Sequence, residues 1–264
     1  MATAPNRSEA AAARRPTRAR MSLEEAMSAL AAAGSEQTRR TYARHGAAGP
    51  MFGVSFATLK ALTKRIDVDH PLACSLWETG NLDARNLAVK IVDPGQLTSA
   101  DLDRWAHAES VRQVCGGYCA MLAAETPFGA VKAVQWLAAA DVAARVAGWT
   151  LLAQLALRDE AATDAEFLAR LGQIERTIHA APNPEREVMN LAIISLGCRS
   201  PTLRDAAVAA AQRIGNVKID HGDTACKTPA AAEYIRKTWA HSTAKGFATP
   251  AAHERTRDWP RRRC

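Results

Sequence analysis

From Thr41 to Trp105 the chain reads TYARHGAAGPMFGVSFATLKALTKRIDVDHPLACSLWETGNLDARNLAVKIVDPGQLTSADLDRW. Four polar residues in this stretch, Ser55, Asp69, Asn81 and Thr98, each stand directly before an apolar run with helical spacing. Residues of this type start helices because a short side-chain oxygen accepts an N–H that the first turn leaves unpaired. After Ser55, Phe56, Leu59, Leu62 and Ile66 share one helix face, and after Asn81 so do Ala84, Leu87, Ala88 and Ile91. The starts lie so close together that the helices between them must be short and tightly connected.

Working outward, the same signals continue. Ser22 with Glu25 forms a capping box, and Ser110, Asp141 and Asn183 each precede an apolar-periodic run, with Pro184 at the first helical position after Asn183. Phe167, Leu171, Ile174 and Ile178 form a later stripe. This spacing predicts roughly a dozen helices between residues 22 and 238, as about six antiparallel pairs. Only 5% of residues are aromatic, and alternating Val/Ile/Thr runs are missing, so strands have little to build from. The expected fold is all-α, an α-solenoid of stacked helix pairs whose accumulated rotation leaves a concave face suited to duplex DNA or a peptide. No literal repeat is visible, so the solenoid rests on helix length and spacing, and a globular helical bundle is the alternative.

The net charge of +7 suggests nucleic acid until it is divided along the chain. Outside residues 1–22 and 236–264 there are 21 basic against 24 acidic residues. Basicity is concentrated in the two ends and in one internal run, Arg39, Arg40, Arg44, Lys60, Lys64 and Arg65, with no acid between residues 37 and 66. The expected organisation is a disordered basic arm over 1–21, a helical repeat domain over 22–238, and a basic, flexible tail over 239–264. The Arg-rich start lacks the apolar segment of a secretory signal, and no run is long and apolar enough to span a membrane. Six cysteines without disulfide-framework spacing fit a reducing cytoplasm, with nucleoid association if DNA is bound. Trp77, Trp136 and Trp149 lie within apolar helical stripes and read as core.

The quoted stretch resembles the AlkD-type DNA alkylation-repair family of HEAT-like repeat proteins. The likeness is carried by Tyr42-x-x-His45-Gly46, the turn Phe52-Gly53-Val54, the Leu72 to Gly80 segment, the helix containing Ala84-Arg85 and Leu87-Ala88, the Asp93-Pro94 break, and Asp103-x-Trp105. It continues more weakly to about Tyr234. The resemblance implies a HEAT-like superhelix that holds duplex DNA in a basic groove. It also implies, in enzymatic members, hydrolysis of the N-glycosidic bond of N3- or N7-alkylated purines without a metal or other cofactor. An alkylated base is already a cationic leaving group, so one carboxylate beside the sugar can stabilise the charge that grows there, helped by aromatic walls.

This sequence departs from that pattern at the reacting residues. Counting from Trp105 puts Arg112 where the family has a wall Trp and Gly116 where it has the catalytic Asp, with Cys115 confirming the register. A second wall Trp falls at about Leu191. Glu109 is the candidate displaced acid, although a helical Glu near a turn is more commonly a solvated charge. Arg145, inside an otherwise apolar helix, matches a basic residue that contacts DNA backbone in the family. Together with Arg39, Arg40, Tyr42, Arg44, His45, Lys60, Lys64, Arg112 and Lys227 it completes the expected DNA-contacting set. The chain is therefore expected to bind DNA with degenerate glycosylase chemistry, to use a displaced acid, or to serve as a protein-interaction scaffold. A monomer is expected.

Residues 217–235, VKIDHGDTACKTPAAAEYI, resemble a tail segment of a subgroup of the family. His221 and Cys226 with Asp220 and Asp223 are possible metal ligands, but their spacing matches no structural zinc pattern. The simpler reading is a loop leading to a helix capped at Thr228 with Pro229 first, where Lys227 and Thr228 could receive an anion.

Overall fold

The computed structural model describes residues 20–108 and 117–257. Among them there are fourteen α-helices, one short 3-10 turn and no strand. The helices are α1 (Leu23–Ala32), α2 (Glu36–Arg44), α3 (Phe56–Ile66), α4 (His70–Glu78), α5 (Leu82–Ile91), α6 (Ser99–Ala106), α7 (Ala120–Ala124), α8 (Gly129–Leu137), α9 (Val142–Arg158), α10 (Asp164–Thr177), α11 (Asn183–Gly197), α12 (Pro201–Ile214), α13 (Ala231–Ala244) and α14 (Pro250–Arg255).

Most starts fall where the capping chemistry places them. Ser22 and Glu25 form a reciprocal capping box, Thr98 and Asp101 form another, and Ser55, Asp69, Asn81 and Asp141 cap α3, α4, α5 and α9 through their side chains. Asn183 differs by one residue. Pro182 occupies the cap of α11, and the Asn183 amide instead makes paired 2.8 Å bonds with the backbone of Asp220. A tertiary partner with a matching donor and acceptor displaces the local cap. The expected start at Ser110 lies outside the described residues.

The helices stack as pairs, α4 with α5, α6 with α7, α8 with α9, α10 with α11 and α12 with α13. The second members, with α3 ahead of them, line one layer: α3 packs on α5, Lys90 of α5 meets the Tyr118 ring just before α7, and α7 packs on α9, α9 on α11 and α11 on α13, while α10 and α12 pack in the opposite layer. The fold is thus an α-solenoid of antiparallel pairs. Small residues permit the close approach of its helices. A Cβ on Gly148 of α9 would come within 2.8 Å of the Leu137 backbone. One on Gly197 of α11 would meet Ile235 at 2.6 Å. Trp77, Trp105, Trp136 and Trp149 are buried between layers, with Trp77 and Trp105 stacked at 4.2 Å across neighbouring pairs.

The expected domain boundary at 238 falls inside α13. Trp239 is buried and donates to the Gly197 carbonyl at 2.7 Å, and α14 packs on α9 and α13. Residues 239–257 therefore belong to the packed body, in contrast to the flexible tail expected for that stretch. Charge alone concealed this, because the basic side chains occupy only the solvent faces of these helices.

Candidate nucleic-acid interface

The motif residues Phe52-Gly53-Val54 are held by one carboxylate. Asp83, fully buried on α5, accepts the backbone N–H groups of Phe52 at 2.6 Å, Gly53 at 3.0 Å and Val54 at 2.9 Å. Gly53 has φ +79, and a Cβ there would come within 2.5 Å of the Ser35 carbonyl and 2.7 Å of Arg39, so only glycine fits. Tyr42, expected as a groove contact, donates its hydroxyl to the Val54 carbonyl. Burial, reinforced by Asp83 and Tyr118, pushes that hydroxyl up to about 12. Its ring leans on Phe56 at 5.9 Å, so Tyr42 fixes the entry of α3.

Beside that turn lies a cluster that the sequence reading did not single out. Lys90 of α5 is only 4% exposed, and its ammonium sits 4.1 Å from the Tyr118 ring centre and 5.8 Å from that of Phe56. The quadrupole of each ring favours the cation on its face. The available signal was a lysine inside the apolar run Leu87-Ala88-Val89-Lys90-Ile91-Val92, where a solvated position is hard to supply. Phe56, 39% exposed, starts the face of α3 on which Lys60 and Lys64 follow at four-residue steps. Lys60, Lys64 and the neighbouring Arg65 are exposed and make no ion pair with any described residue.

The other expected contacts separate into several groups. Arg39 and Arg40 both pair with Glu36, at 2.7 and 3.1 Å, and these two arginines hold the Glu36 carboxyl below the usual range. Arg44 and His45 are exposed at the end of α2. Arg40 and Arg44 lie about 200° of helical rotation away from Tyr42, on the opposite face of α2 from the Phe56 contact. Curvature therefore does not gather all six cations of the run onto one wall.

Arg145 is committed within the fold. It pairs with the buried Glu185 of α11 at 2.9 Å and donates to the Ala139 and Ala140 carbonyls at 3.0 and 2.7 Å. Trp149 donates to the same Glu185 at 3.2 Å. The sequence signal, a cation in an apolar helix, is satisfied by a buried partner. Lys227 is exposed, but Thr228 is not a cap: α13 begins at Ala231, and the Thr228 hydroxyl bonds His221 Nε2 at 3.1 Å within the loop. Glu109, Arg112 and Gly116, with Cys115, lie outside the described residues. Leu191, at the second Trp position, is 45% exposed on α11.

The stacked pairs and the lysine-bearing aromatic edge of their second-helix layer define an α-solenoid of the HEAT-like repeat class. The family model described as DNA alkylation repair enzyme matches residues 26–235, and the chain belongs to that family. It is 27% identical over 214 residues to the uncharacterized protein Lin0241 of Listeria innocua, covering 79% of this chain and 93% of that protein. The same figures hold for the uncharacterized protein Lmo0209 of Listeria monocytogenes. A solved structure described as "A new family of proteins related to the HEAT-like repeat DNA glycosylases with affinity for branched DNA structures" superposes with a TM-score of 0.75 and 28% identity. The match covers 86% of this chain and 95% of that one.

Proposed function

We propose that this chain binds DNA, duplex and branched, along its second-helix layer, and that it lacks the usual alkylpurine glycosylase chemistry. The observation that carries the binding is the edge of α3. Lys60 and Lys64 stand exposed beside Phe56 with no acidic partner among the described residues, whereas Arg39, Arg40 and Arg145 are already neutralised. Cations without internal partners can release phosphate counterions, and paired ones contribute little to that process. Affinity for branched DNA in the superposed relative supports extending the ligand to junctions. The loss of chemistry rests on the register that puts Gly116, which has no carboxylate, in the position of the usual acid.

The reading is tested by binding to a duplex and a four-way junction over a salt series, with wild type and Lys60→Glu/Lys64→Glu. Loss of two phosphate contacts should reduce the log–log salt slope by roughly 2. An unchanged slope removes α3 from the interface. Alongside, N-methylated duplex should release no 7-methylguanine above the uncatalysed rate. Release that disappears in Glu109→Gln would instead establish a glycosylase with a displaced acid.

A further inference from the structure

The second-helix layer changes character along its length. At the α3 end it carries lysines. At the other end α7, α9, α11, α13 and α14 enclose a groove of about 620 Å³, lined by Met121, Gln154, Leu157, Ile194, Tyr234 and Thr238 among others. Tyr234 is 51% exposed, and its hydroxyl bonds no described residue. Among the described Phe, Tyr and Trp residues only Phe56 and Tyr234 are exposed, and both belong to this layer, one at each end.

The groove does not suit a duplex backbone. Its lining is mostly apolar, and its one acid, Glu254, is bonded to Arg257 at 2.8 Å. Cys198 in its lining is buried, which pushes its thiol up to about 12 and disfavours the thiolate. Cationic support comes from the side. On α13 Lys237 and His241 share the Tyr234 face by helical spacing, both exposed, and Lys237 has no ion pair with a described residue. An exposed ring over an apolar groove, with a cation one turn away, is the combination that holds unpaired nucleotides. The base stacks on the ring and the phosphate meets the ammonium.

We infer that the groove around Tyr234 binds unpaired nucleobases, so that a branch point lies across the layer with its duplex arm on the α3 lysines and its single-stranded arm on α13. This inference rests on the proposed function and divides the DNA between two sites.

The test uses the full chain with a fully paired duplex and the same duplex carrying a short single-stranded flap that contains 2-aminopurine. Binding should alter the 2-aminopurine fluorescence. Tyr234→Ala should weaken flap binding roughly 5- to 100-fold, the range expected for loss of one base stack, and leave duplex binding unchanged. Tyr234→Phe should retain flap binding, since the ring face carries the contact. Equal wild-type affinity for flap and duplex, or equal losses on both in Tyr234→Ala, overturns the inference and leaves DNA binding standing. A wild-type chain that binds neither DNA overturns both. Flap binding that survives Tyr234→Ala but is displaced by an apolar peptide would assign the groove to protein instead.

Discussion

Asp83 contributes more to the architecture than its place in sequence suggests. Its three accepted N–H bonds hold the turn that separates α2 from α3, and Gly53 and Val54 in that turn are themselves shielded from water. Asp83→Ala would leave these donors unsatisfied, at about 1–3 kcal/mol for each buried group. We expect a total loss of roughly 3–5 kcal/mol in urea unfolding, with Asp83→Asn intermediate because its carbonyl still accepts. A loss below about 1 kcal/mol would show that the turn holds itself. The motif was readable, since Phe52-Gly53-Val54 and the helix at Ala84 were both singled out. Their connection was not, because thirty residues separate donor from acceptor and no local pattern records which carboxylate faces inward.

Two of the polar bridges between elements involve buried charges. Arg145 and Trp149 of α9 converge on Glu185 of α11. Arg145→Ala leaves that buried carboxylate without its cation, and a cost of about 3–5 kcal/mol is expected. DNA affinity per folded molecule should not change, whereas a tenfold loss with the same salt slope reduction as in the lysine variants would return Arg145 to the interface. The second bridge joins α6 to α8, where Asp103 accepts from the buried Lys132 at 2.5 Å and from Trp136 at 2.8 Å. Desolvation raises the Asp103 carboxyl, but the bonds from Lys132 and Trp136 prevail and hold it below the ordinary 3.8. A depressed carboxylate stabilises the fold above its unfolded pKa, and the contribution is lost as pH falls through the folded value. Asp103→Asn should therefore narrow the stability difference between pH 6 and pH 3 in thermal melts. An unchanged difference would show that the bridge carries no acid sensitivity. The Asp103-x-Trp105 motif was legible as a pattern; that its aspartate serves a lysine on the next pair required the packed structure.

At the scale of the molecule, the solenoid closes with α13 and α14. Deleting residues 239–257 along with the rest of that end removes buried Trp239, its bond to Gly197, and the cover that α14 gives α9. A chain ending at 238 should lose at least the roughly 3–5 kcal/mol of a buried tryptophan, seen as a lower Tm, and a melt identical to the full chain would contradict the packing described. By itself the sequence determined the all-helical class, the starts of α1, α3, α4, α5, α6 and α9, and the buried role of Trp77, Trp136 and Trp149, because caps and 3.6-residue periodicity are local; the starts of α7 and α8, which have no side-chain cap, left no such signal. It could also count the cations. Only the tertiary structure decided which of them remain available to a ligand, since neutralising Arg145 with Glu185, seating Lys90 between Phe56 and Tyr118, and exposing Tyr234 over a groove all depend on which helix faces meet.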